Sequence, residues 1–70
     1  MEGVETIVRS ALPAAKSQVT YADVLTTCQI TPGIDYRDLP NVIRALIGNG
    51  FLHRELRRTE HGVTLFLVRN

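Results

Sequence analysis

The hydrophobic period of this chain changes at Gly48-Asn49-Gly50, and that change limits what it can fold into. Before the triplet, Leu39, Val42, Ile43, Leu46 and Ile47 recur at three- and four-residue spacing, one stripe of an α-helix. After it, "FLHRELRR" and "VTLFLVR" read as two strands around "TEHG". Gly62 suits a hairpin position that needs positive φ. On the first strand Leu52, Arg54, Leu56 and Arg58 share one face, and His53, Glu55 and Arg57 share the other. The second strand is apolar on both faces from Val63 to Val68, so it is either covered on both sides or leaves a patch for a partner. The expectation is an α+β fold with a C-terminal two-stranded hairpin.

Two more helices precede the stripe. Val4, Ile7, Val8, Ala11 and Leu12 follow an amphipathic pattern, with Glu2 and Glu5 near the start, and Pro13 stops or kinks that helix near Leu12. In "VTYADVL", Thr20 stands three residues before Asp23, which resembles a capping box, and Val19 and Val24 are placed for a hydrophobic staple. A second helix therefore starts near Tyr21 and runs to about Gln29. Pro32 and Gly33 then fit the centre of a type II turn. Asp38 is the expected N-cap of the third helix, with Pro40 in its first turn, and "GNG" offers a left-handed C-cap. Tyr21 and Tyr36 are expected as half-buried caps over the core.

Seventy residues form one small domain, spanning 1–70. Cys28, the single cysteine, has no internal disulfide partner, lies in an apolar-periodic stretch and reads as a small buried hydrophobe. No Cys/His set has metal-ligand spacing, so neither a metal nor a cofactor is expected. The chain starts with no signal-peptide pattern and carries no apolar run of membrane-spanning length. With one unpaired thiol, this points to a cytoplasmic protein and to no membrane partner. Paired carboxylates, a nucleophile beside a base and a Gly-rich phosphate loop are all missing, so catalysis is not expected.

Charge is unevenly placed. Residues 1–35 carry Arg9 and Lys16 against Glu2, Glu5, Asp23 and Asp35, a net −2. Residues 36–70 carry Arg37, Arg44, Arg54, Arg57, Arg58 and Arg69 against Asp38, Glu55 and Glu60, a net +3. Every cation of the second half is an arginine, whose planar fork matches phosphates and carboxylates. The asymmetry suggests one face turned toward a polyanion.

The order helix, helix, turn, helix and arginine-rich hairpin resembles a winged helix-turn-helix domain over essentially the whole chain. The resemblance rests on "VTYADVLTTCQ", on "DLPNVIRALIGNGFLHRE" and on the returning "TLFLV". The run "RALIGNGFLHRE" is similar to the junction of recognition helix and wing in small transcription regulators of the MarR type. The resemblance implies a third helix in the major groove of double-stranded DNA and a wing on the backbone or minor groove. Arg37, Asn41 and Arg44 would then face bases or phosphates, and Arg54, Arg57, Arg58 and His61 would act from the wing.

Asp35 and Asp38 flank Arg37 where the third helix would meet phosphates, and three or four phosphate contacts bind weakly at physiological salt. A homodimer is therefore expected, with the short first helix and the two-faced last strand as candidate surfaces. A different class of function stays open: a protein-interaction module of the same fold, such as a phage- or plasmid-type inhibitor of a host complex. Leu65, Phe66 and Leu67 would be its partner surface.

Overall fold

The computed structural model describes residues 3–70. Three helices and three strands follow in the order α1 (Val4–Ala11), β1 (Gln18–Thr20), α2 (Tyr21–Ile30), a 3-10 turn (Tyr36–Asp38), α3 (Leu39–Gly48), β2 (Leu52–Thr59) and β3 (Gly62–Arg69). The sheet is antiparallel in the order β1-β3-β2, which makes the fold α+β.

β1 is the element that sequence patterning does not reveal. Its three residues are too few to show alternation, yet they explain the apolar last strand. Gln18, Val19 and Thr20 pair with Val68, Leu67 and Phe66, so β3 is central in its second half and the sheet has three strands rather than two. Between Val63 and Leu65, β3 has only β2 beside it. The hairpin therefore leaves the three-stranded body as a two-stranded arm.

Local signals place the helices. Thr20 Oγ1 accepts from the Asp23 amide at 3.1 Å, the N-cap that begins α2. The Ile34 amide donates to the Thr31 carbonyl, and Gly33 takes φ 81°, closing the expected type II turn. α3 ends in a Schellman arrangement. There the Phe51 amide reaches the Leu46 carbonyl, the Gly50 amide reaches Ile47, and Gly50 holds φ 83°. Asp38 departs from expectation. The 3-10 turn has already given it helical torsions, and its side chain makes no capping bond. Asp35 does that work one turn earlier, its carboxylate accepting from the Arg37 amide at 3.0 Å.

The core lies between the helices and the inner face of the sheet. α1 supplies Val4 and Val8, followed by Leu12; α2 supplies Val24 and Cys28; α3 supplies Leu39, Ile43 and Leu46; the sheet supplies Leu52 and Leu67. Burial pushes the Cys28 thiol up, which suits a packed side chain. Tyr21 packs against this core, whereas Tyr36 is exposed and does not cap it. Glu2 lies outside the described residues, and Glu5 pairs with Arg9 at 2.9 Å along α1.

Candidate polyanion-facing site

Strand register assigns every hairpin side chain to one of two faces. The inner face, continuous with the core, carries Leu52, Arg54, Leu56 and Arg58 on β2 and Arg69, Leu67, Leu65 and Val63 opposite them. The outer face carries His53, Glu55, Arg57 and Thr59 against Val68, Phe66, Thr64 and Gly62.

The outer face is closed by its own polar network. Arg57 lies over the Phe66 ring, 4.7 Å from its centroid, and donates to Gln18 Oε1 at 2.6 Å on the far side of β3. Its Nη2 also reaches Glu55 at 3.0 Å. His53 bridges the other Glu55 oxygen at 2.7 Å and Asn70 Oδ1, and Asn70 in turn donates to the Gly50 carbonyl. The bond to Asn70 first, and that to Glu55 second, hold the His53 pKa above its ordinary value. The bonds from His53 and then Arg57 hold Glu55 below its ordinary value. This network covers Phe66 and Val68, the outer apolar pair of β3.

Leu65, Phe66 and Leu67, expected as one partner surface, are thus separated. Phe66 sits beneath Arg57, Leu67 is 0% exposed in the core, and Leu65 alone remains half-open on the inner face. β3 also has no free edge at Phe66–Val68 through which to meet a second copy.

The arginines divide in the same way. Arg37 lies in the 3-10 turn rather than in α3, and its guanidinium pairs with Asp35 at 3.0 Å. That contact, through the side chain first and the backbone N–H second, holds the Asp35 carboxyl below its usual range. Arg57 is paired as described. Arg69 donates to the Leu12 carbonyl at 3.2 Å and lies 4.8 Å from the Phe51 ring centroid, so it joins α1 to the sheet. Arg44, Arg54 and Arg58 have no hydrogen-bond or ion-pair partner among the described residues.

These three guanidiniums stand on one side of the molecule. Arg44, on the exposed side of α3, and Arg54 line a cleft of about 220 Å³ with Tyr21, Pro40, Ile43 and Leu65. Arg54 continues with Leu56 and Leu65 into a shallower hollow along the hairpin. Arg58 follows two residues further on the same strand face. Among the described residues, no carboxylate lines the cleft or the hollow. Asn41 is exposed on α3 one turn before Arg44. His61 is at the hairpin turn, 3.5 Å from the Glu60 carboxylate and open to water.

Sequence reasoning finds the inner-face trio, but it does not separate these arginines from the paired ones. The outer network was partly foreshadowed, because His53, Glu55 and Arg57 alternate on one strand face. Gln18 and Asn70 carried no signal, since they reach that face from distant parts of the chain. No group of His, Cys, Asp and Glu among the described residues could hold a metal ion. No described helix is long and apolar enough to cross a membrane. No protein-family model, curated protein or solved structure matches the chain.

Proposed function

We propose that this chain is a winged helix-turn-helix domain that binds duplex DNA as a dimeric transcription regulator. α3 would enter the major groove, and the β2–β3 arm would serve as the wing. The observation that carries the reading is the set of Arg44, Arg54 and Arg58, charged groups on one face without carboxylate partners among the described residues. A cation already neutralised in an ion pair gains little from a phosphate; one without a partner releases counterions when it meets one. Asn41 beside Arg44 adds a side chain able to read adenine. The three helices and the arm beside α3 support the assignment, as do the N-cap at Thr20 and the Schellman stop at Gly50.

The geometry reorders the expected contacts. Arg44, Arg54 and Arg58 come first, while Arg37 and Arg57 are secondary because Asp35 and Glu55 hold them. Three phosphates per copy give modest affinity, which is the reason for two copies on adjacent half-sites. Binding of a labelled duplex should weaken with Arg58→Ala and change little with Arg57→Ala. Equal losses from the two variants would remove the basis of the assignment.

A protein-interaction module draws on a different observation: Leu56 and Val63 are 72% and 65% exposed on the same face. Phosphate contact has no use for them.

A further inference from the structure

Phosphate binding accounts for the arginines of the inner face but not for its apolar floor. Leu56 pairs with Leu65, and Val63 pairs with Arg58, so the three apolar side chains are contiguous along the arm. Leu52 and Leu67 are buried at the base of the inner face, whereas Leu56 and Val63 further along the arm are mostly exposed among the described residues. Contiguous exposed apolar groups rimmed by charge mark interaction surfaces more often than single exposed leucines do.

We propose that this face docks a segment of another protein in which Asp or Glu residues flank a bulky apolar anchor. The anchor enters the cleft between α3 and the arm, against Tyr21, Ile43 and Leu65. Its neighbouring carboxylates meet Arg44 and Arg54 at the rim, and a second apolar residue lies on Leu56. Charge complementarity selects this occupant. Among the described residues the cleft and hollow hold guanidiniums and no carboxylate, and an arginine fork binds a carboxylate through two parallel hydrogen bonds.

The same observations disfavour a second copy of this chain. A symmetric contact would set this arginine-bearing face against the same face of the other copy, with no carboxylate among the described lining residues to pair them. Three apolar side chains also fall well short of the roughly 800 Å² per partner that a stable complex buries. A lipid surface would meet the arm but leave the cleft empty. The docking surface shares Arg44 and Arg54 with the DNA reading and differs from it in the apolar floor, since Leu56 has no part in phosphate contact.

The test is selection of a random 12-residue peptide library on the immobilised protein. Selected peptides are then synthesised and titrated against the wild type, Leu56→Ser and Arg54→Ala, with circular dichroism to verify folding. The expected result is enrichment of sequences with Asp or Glu beside Leu, Ile or Phe, and at least a tenfold loss of affinity in each variant. Methyl resonances of Leu56 and Leu65 should shift on titration. Three results would overturn the proposal: no enrichment, enrichment without acidic residues, or peptides indifferent to Leu56→Ser. A dimer in sedimentation that Leu56→Ser dissolves would also overturn it and assign the face to a second copy. Duplex DNA titrated into Leu56→Ser is a separate arm, expected to match the wild type. Its outcome bears on DNA binding alone.

Discussion

Leu67→Ala tests the central position of β3, on which the assignment of both hairpin faces depends. Leu67 is fully buried, paired with Val19 on one side and Arg54 on the other, and faces the helices. Truncation removes buried apolar atoms and leaves a cavity, which together cost about 2–5 kcal/mol for a core leucine. A 70-residue domain at about 0.05–0.15 kcal/mol per residue has roughly 3–10 kcal/mol to lose. The substitution should therefore remove about a fifth of the total stability at the least, and about half at the middle of both ranges. With an unfolding entropy of about 2.1 cal/mol/K per residue, a loss of about 3 kcal/mol lowers Tm by roughly 20 °C. Leu56→Ala, on the same sheet face but mostly exposed, should stay within about 0.5 kcal/mol of the wild type. Urea titrations followed by far-UV circular dichroism give both values without a tryptophan probe. If Leu56→Ala proved as damaging as Leu67→Ala, the helices would cover more of the arm than described, and the exposed inner face would be wrong.

Further predictions follow from the termini, the turns and the outer face. Thr20→Ala should cost about 1 kcal/mol in the same urea assay, because the Asp23 amide loses its acceptor. Gly50→Ala should cost about 1–2 kcal/mol through its positive φ alone, since no atom lies within 4 Å of the added Cβ; Gly50→Asn should recover part of that loss. The outer network makes stability depend on pH. His53 has a raised folded pKa, so its contribution is complete below its ordinary value of 6.5 and fades as pH rises through the folded value. Glu55 has a lowered folded pKa, so its contribution is complete above its ordinary 4.5 and fades as pH falls through the folded value. The two overlap between pH 4.5 and 6.5, where the network should be strongest. His53→Gln should flatten the decline above that window in urea midpoints measured against pH.

The legible parts of this fold are those written in neighbouring residues. The α3 stripe, the Thr20 cap, the Pro32-Gly33 turn and the Gly50 stop each depend on a few consecutive side chains, and each is found where the pattern places it. β1 is not legible because its three residues become a strand only by pairing with β3, almost fifty positions away. That omission bears on the reading of Leu65, Phe66 and Leu67: β1 brings Gln18 to hold Arg57 over Phe66 on the outer face, the core buries Leu67 on the inner face, and Leu65 lies beyond the end of β1. Asp38 fails as a cap for a local reason: the 3-10 turn bends the chain one turn early and passes the capping role to Asp35. The arginines are visible as a cluster, but their division depends on three-dimensional neighbours. Arg57 finds Gln18 across the sheet, and Arg69 finds the end of α1.

The salt dependence of duplex binding tests the central claim most directly. Affinity for a labelled duplex would be followed by anisotropy at several salt concentrations for the wild type, Arg54→Ala, Arg58→Ala and Arg57→Ala. Three phosphate contacts, each contributing about −0.9, predict a slope of log K against log salt of about −2.7 per copy. Arg54→Ala and Arg58→Ala should each reduce that slope by about 1, and Arg57→Ala should leave it unchanged. A flat response, or no binding at low salt from a folded protein, would contradict the account and leave the cationic face to a protein partner.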